Sequence, residues 1–99
     1  MRVLQLDHVA IHVADVEKSS GFYRDVLGLP GLPRPDFDFP GAWFGLGEYQ
    51  ELHLIGDRDK PVHSNHRGTH FALEVTDLGA WETRIADSGV EYLPRRTRP

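Results

Sequence analysis

A chain of 99 residues supports one compact domain with a small core, and 39% hydrophobic with 26% charged residues is the composition of a soluble globular protein. The net charge of −4 gives no electrostatic reason to expect nucleic acid or an anionic membrane as partner, and the absence of cysteine excludes disulfides, thiolate catalysis and cysteine-type zinc sites. No apolar run approaches a membrane span and Met1-Arg-Val-Leu-Gln-Leu-Asp7 is no signal peptide, so a cytoplasmic protein is expected.

From Leu6 to Val13 the side chains alternate. Val9, Ile11 and Val13 form one face and His8, Ala10 and His12 the other, which predicts a strand whose aliphatic face packs on a helix. Asp15 is the expected N-cap of a helix from Val16 to about Leu27 that buries Phe22, Tyr23, Val26 and Leu27 and stops at Gly28. Within it Ser19-Ser20-Gly21 is weak helix material, the glycine alone costing roughly 1 kcal/mol relative to alanine. Pro30 to Gly41 reads as a loop or a short irregular strand. Ala42–Leu46 and Gln50–Ile55 read as two strands joined by a tight turn at Gly47-Glu48. Gly56–Gly68, rich in charge and histidine, is expected to be a linker.

The pattern then repeats. His8-Val-Ala-Ile-His-Val-Ala-Asp-Val16 returns as His70-Phe-Ala-Leu-Glu-Val-Thr-Asp-Leu78. The second copy predicts a strand with Phe71, Leu73 and Val75 facing away from His70, Ala72 and Glu74. Asp77 follows as N-cap, then a helix with Leu78, Trp81 and Ile85 on one face and Gly89 as its stop, then a strand at Val90–Leu93. The expected architecture is α+β: tandem βαβββ modules forming a curved mixed sheet around a cavity. Module one is expected at about 1–56, the linker at 57–68 and module two at 69–99, together making a single domain. A second copy as long as the first would run roughly 18 positions past Pro99, so residues 69–99 are expected to hold an incomplete second module without its last two strands. Completion by another chain, or by residues beyond these, stays open. An unfinished sheet exposes a strand edge, and a two-fold homodimer is the commonest way to cover such a surface.

Leu6-Asp-His-Val-Ala-Ile-His-Val-Ala-Asp-Val16, followed by Phe22-Tyr-Arg-Asp-Val-Leu-Gly-Leu29, resembles the opening of the vicinal-oxygen-chelate superfamily, which includes glyoxalase I, methylmalonyl-CoA epimerase, extradiol dioxygenases, fosfomycin-resistance enzymes and bleomycin-binding proteins. His70-Phe-Ala-Leu-Glu-Val75 resembles the start of the family's second module, and Gln50-Glu-Leu-His-Leu-Ile55 the last strand of its first. The resemblance implies a divalent ion between two modules, with His8 and His70 as ligands from the first strand of each. It places His53 where many members have a Glu or Gln ligand; a shift of two would put Glu51 there instead. The fourth ligand, a glutamate on the last strand of module two, has no counterpart.

Imidazole suits Zn²⁺, Ni²⁺, Fe²⁺ and similar borderline ions; a divalent ion (Zn, Ni, Fe or Mn) is the expected cofactor, acting as a Lewis acid on two adjacent substrate oxygens. A metal-dependent glyoxalase-like lyase or isomerase acting on a small molecule is therefore the expected function. The alternatives are a metal-free binding protein of the bleomycin-resistance kind and an extradiol-dioxygenase-like enzyme. No catalytic residue is identified; Glu51, Glu74 and His12 are general-base candidates on alternation alone. The histidines also fit ordinary structural roles: a cavity histidine hydrogen-bonded without metal, His12 as a lining group, His63 and His66 as solvated linker residues. The aromatic Asp36-Phe-Asp-Phe-Pro40 loop reads as ordinary packing before it reads as a lid. The arginines at 95, 96 and 98 read as solvated tail.

Overall fold

The computed structural model describes residues 1–62 and 67–93. The chain divides into two compact units, Met1–Val62 and His63–Pro99. His63, His66 and the arginines at 95, 96 and 98 lie outside the described residues.

In the first unit, strand β1 (His8–His12) leads into helix α1 (Val16–Gly21), followed by β2 (Gly31–Leu32), β3 (Gly41–Leu46) and β4 (Gln50–Ile55). The four strands form one sheet in the order β1-β4-β3-β2, parallel at β1/β4 and antiparallel elsewhere. This is a complete βαβββ module. Parallel pairing of β1 with β4 needs a crossover, and α1 supplies it. Asp15 caps α1 by accepting the Lys18 N–H at 3.1 Å.

The expected helix to Leu27 is present, with a change of pitch. After the weak Ser19-Ser20-Gly21 step the chain widens into a π-helical turn at Phe22–Val26, where the Leu27 N–H reaches back to the Phe22 carbonyl at 3.1 Å. Gly28, at φ +72°, ends it as expected, the left-handed conformation being cheap only without a Cβ. Phe22, Tyr23, Val26 and Leu27 are half-buried instead of fully buried.

Alternation decides the core. Register sets Val9 beside Leu52, Ile11 beside Leu54, and Phe44 beside Leu52. Leu52 and Leu54 are 0% exposed and Phe44 4%; Tyr23 covers Phe44 with ring centroids 6.3 Å apart. Burial raises the Tyr23 phenol pKa above its ordinary 10.0. Gly56, just past β4, packs against the helix start: a Cβ there would stand 2.6 Å from Val16 Cγ2.

In the second unit α2 (Leu78–Asp87) forms as expected. Asp77 caps it by accepting the Ala80 N–H at 3.2 Å, and Gly89 at φ +79° ends it. Trp81 and Ile85 are half-buried while Leu78 is exposed. The strands expected at His70–Val75 and Val90–Leu93 are not formed. The contrast has a direct cause: a helix closes its hydrogen bonds within itself, whereas a strand needs a neighbour. In the first unit β1 finds that neighbour in β4, and residues 69–93 contain no counterpart of β4.

Candidate metal centre on the open sheet face

Period-two alternation that turns Val9, Ile11, Phe44, Leu52 and Leu54 toward the core sends their neighbours in β1, β3 and β4 to the opposite face. Three cross-strand rows result. His8 lies beside Glu51, which pairs with Gly45; Ala10 lies beside His53, which pairs with Trp43; His12 lies beside Ile55, which pairs with Gly41.

Small Ala10 leaves room for a diagonal contact. The His53 ring sits between two others, stacked on Trp43 at 4.0 Å and 6° and on His8 at 4.5 Å and 18°. His53 is 15% exposed at its side chain, and its Nε2 is 2.8 Å from Glu51 Oε1. An ionised carboxylate only accepts, so this nitrogen carries the proton and donates. Its lone pair is therefore not available there while Glu51 holds it.

His8 is arranged differently. Its Nδ1 donates to Asp7 Oδ2 at 2.7 Å, which assigns the lone pair of the neutral ring to Nε2; among the described residues nothing bonds that atom. In the second unit His70 has the same tautomer, its Nδ1 donating to the Gly68 carbonyl at 2.9 Å. An Nδ1–H committed to an oxygen, with Nε2 free, is the arrangement a metal-ligating histidine takes, because the outer bond fixes the ring and raises its basicity. The carboxylate in register with His8 is Glu51.

The structure thus brings together His8, Glu51 and His53 in the first unit, and places His70 in the second. Parallel rings point their nitrogens alongside each other, not at one point. Accordingly, no group of three or more His, Asp or Glu side chains among the described residues is gathered closely enough to hold an ion. The donor chemistry nevertheless fits a borderline divalent ion: an imidazole nitrogen from His8 and a carboxylate oxygen from Glu51, on adjacent strands. Of the general-base candidates, Glu51 is engaged with His53, His12 is exposed one row beyond His53, and Glu74 is exposed in the second unit.

Sequence reasoning did not find the Trp43–His53 stack. Its signal was faint but present: a tryptophan and a histidine at the middle positions of two strands joined by a tight turn.

An α+β module with histidines on an open sheet face defines the class of this protein. Residues 5–99 match the Glyoxalase/Bleomycin resistance protein/Dioxygenase superfamily, and the chain belongs to that family. The metallothiol transferase FosB of Bacillus licheniformis is 26% identical over 98% of this chain and 62% of its own length. The mitochondrial methylmalonyl-CoA epimerase of Mus musculus is 36% identical over 77% of this chain and 48% of its own. The chain thus spans about half to two thirds of these relatives. In fold it resembles a glyoxalase family protein from Bacillus anthracis, with a TM-score of 0.82 and 24% identity over 100% of this chain and 83% of that one. It also resembles a variant of FosX from Listeria monocytogenes complexed with Mn(II) and 1S,2S-dihydroxypropylphosphonic acid, with a TM-score of 0.76 and 18% identity over 99% and 77% of the two chains. No helix among the described residues is long and apolar enough to cross a membrane.

Proposed function

We propose that this protein is a metal-dependent glyoxalase-like enzyme, a lyase or isomerase acting on a small substrate through adjacent oxygens, with His8 and His70 as metal ligands. The observation that carries the reading is the shared tautomer: in both repeats the histidine Nδ1 donates to an oxygen and Nε2 is left as the lone pair. Family membership supports it. A third donor comes from the last strand of module one, either Glu51, in register with His8, or His53 once Glu51 releases its Nε2. The bound ion, of zinc, nickel, iron or manganese, supplies Lewis-acid polarisation of the two substrate oxygens. The chain itself does the rest. Asp7 holds the His8 ring, Trp43 and His8 confine His53 between them, and Glu51 keeps the proton on His53 Nε2. The protein works in the cytoplasm as a homodimer, the two-fold arrangement being the simplest cover for unpaired edges.

A metal-free binding role is the second reading. It is favoured by the closed Trp43–His53–His8 stack, in which the rings satisfy one another without an ion.

Elemental analysis of the full chain separates the two. About one transition-metal ion per chain is expected, lost in His8→Ala and in His70→Ala and kept in His63→Ala and His66→Ala. Full metal content in both of the first two variants would sink the proposed site, and failure to load any of the four metals would leave the binding protein.

A further inference from the structure

The loop between β2 and β3 carries a cation that the metal reading does not use. Arg34 lies over the open face of β3 at the one place where Gly41 has no side chain: a Cβ there would meet its Nε and Nη2 at 2.9 Å each. Arg34 Nη2 donates to the Phe39 carbonyl at 2.8 Å, and its Cζ stands 4.9 Å from the ring centroids of both Phe37 and Phe39. Those two rings are stacked, 5.2 Å apart, and Phe37 reaches Trp43 at 6.2 Å. A continuous row therefore runs from Arg34 through Phe37 and Trp43 to His53 and His8. Gly41 and His12 belong to one cross-strand row, and His8 lies four residues before His12, roughly 13 Å along the strand by its rise.

Loop closure explains part of this. It accounts for the bond to the Phe39 carbonyl and for one ring contact. It does not account for the rest. A guanidinium offers five N–H donors, and among the described residues Arg34 uses one and makes no ion pair, with Asp36 and Asp38 only two and four positions on. The loop alternates instead, its phenylalanines 42% and 39% exposed on the arginine's side and its aspartates in solvent. A half-buried, planar cation flanked by exposed rings matches a carboxylate or phosphate joined to an apolar body, since the fork binds two oxygens and the rings take the carbon.

The geometry points to Arg34 as an anion-recognition residue. It takes the carboxylate- or phosphate-type end of an elongated ligand whose apolar body lies along Phe37 and Trp43. This rests on the reading of His8 as the reactive end, and it narrows the substrate class to acids long enough to reach from Gly41 to His8.

The test uses the full chain stripped of metal by chelator, so that its failure is separate from failure of the metal site. Phenylphosphonate and neutral benzamide are titrated while the Trp43 indole N–H resonance is followed. Phenylphosphonate is expected to bind at least tenfold tighter than benzamide. Arg34→Gln should abolish that preference, Arg34→Lys should keep part of it, and Lys60→Gln should leave it unchanged. Equal binding of the two probes to the wild type overturns the proposal. So does a preference that survives in Arg34→Gln, or one that is lost in Lys60→Gln. Should Arg34→Gln fail to fold, Arg34→Lys decides: affinity equal to the wild type excludes fork recognition, and a several-fold loss supports it. Metal content of the Arg34 variants, measured separately, is expected to equal that of the wild type.

Discussion

Removing the carboxylate of Asp7 isolates the tautomer argument from every direct ligand. Asp7 holds His8 Nδ1 at 2.7 Å, a short charge-assisted bond, and among the described residues its carboxylate makes no other side-chain hydrogen bond. Loss of such an outer partner typically lowers metal affinity by 10- to 100-fold, roughly. Asp7 is 89% exposed, so solvent and salt screen its charge and place the effect at the lower end, about tenfold. Asp7→Ala should show that full loss in a competition titration against a chelating dye. Asp7→Asn, whose amide oxygen can still accept the proton, should fall between it and the wild type. The loss should shrink as salt is added. If Asp7→Ala binds zinc as tightly as the wild type while His8→Ala does not bind at all, the orientation argument is wrong even though His8 is a ligand.

Two further outcomes test the fold beneath the site. Leu52→Ala removes a fully buried side chain that packs in the core with Leu54 and Phe44, and should cost about 2–5 kcal/mol in urea unfolding, a large part of the usual stability margin; a loss under about 1 kcal/mol would contradict the assigned register. Burial raises the folded pKa of Tyr23 above 10.0, so its contribution is complete below pH 10.0 and is lost as pH rises through the folded value. Tyr23→Phe should therefore flatten the alkaline fall in stability and leave the neutral range nearly unchanged, as followed by thermal melts between pH 7 and 11.

Much of the first module was legible because its signals are local. Asp15 and Gly28 bracket the helix, Gly47 makes the turn at φ +74°, and the alternation of His8 to His12 sorts the two faces. The π-helical turn at Phe22–Val26 was not legible: a change of one hydrogen-bond step leaves nearly the same apolar spacing. The second repeat shows the limit of pattern. Residues 70–75 alternate as well as β1 does, yet among the described residues of the second unit α2 forms and that strand does not, since alternation specifies which face a strand presents and not whether a partner exists to pair with it.

The sequence by itself determined the family, the βαβββ plan and the two repeat histidines, because repeats, caps and periodicity are properties of neighbouring residues. It did not determine how those side chains meet. Glu51 and His53 share a strand face two residues apart, and no spacing rule separates a ligand from its neighbour. The tertiary structure separates them by register: Glu51 falls beside His8, and His53 falls between Trp43 and the His8 ring with its Nε2 proton held. Arg34 likewise reaches the site face only because β3 brings a glycine beneath it. Cross-strand register and the space left by absent side chains join residues far apart in the chain, and these exist only once the sheet has formed.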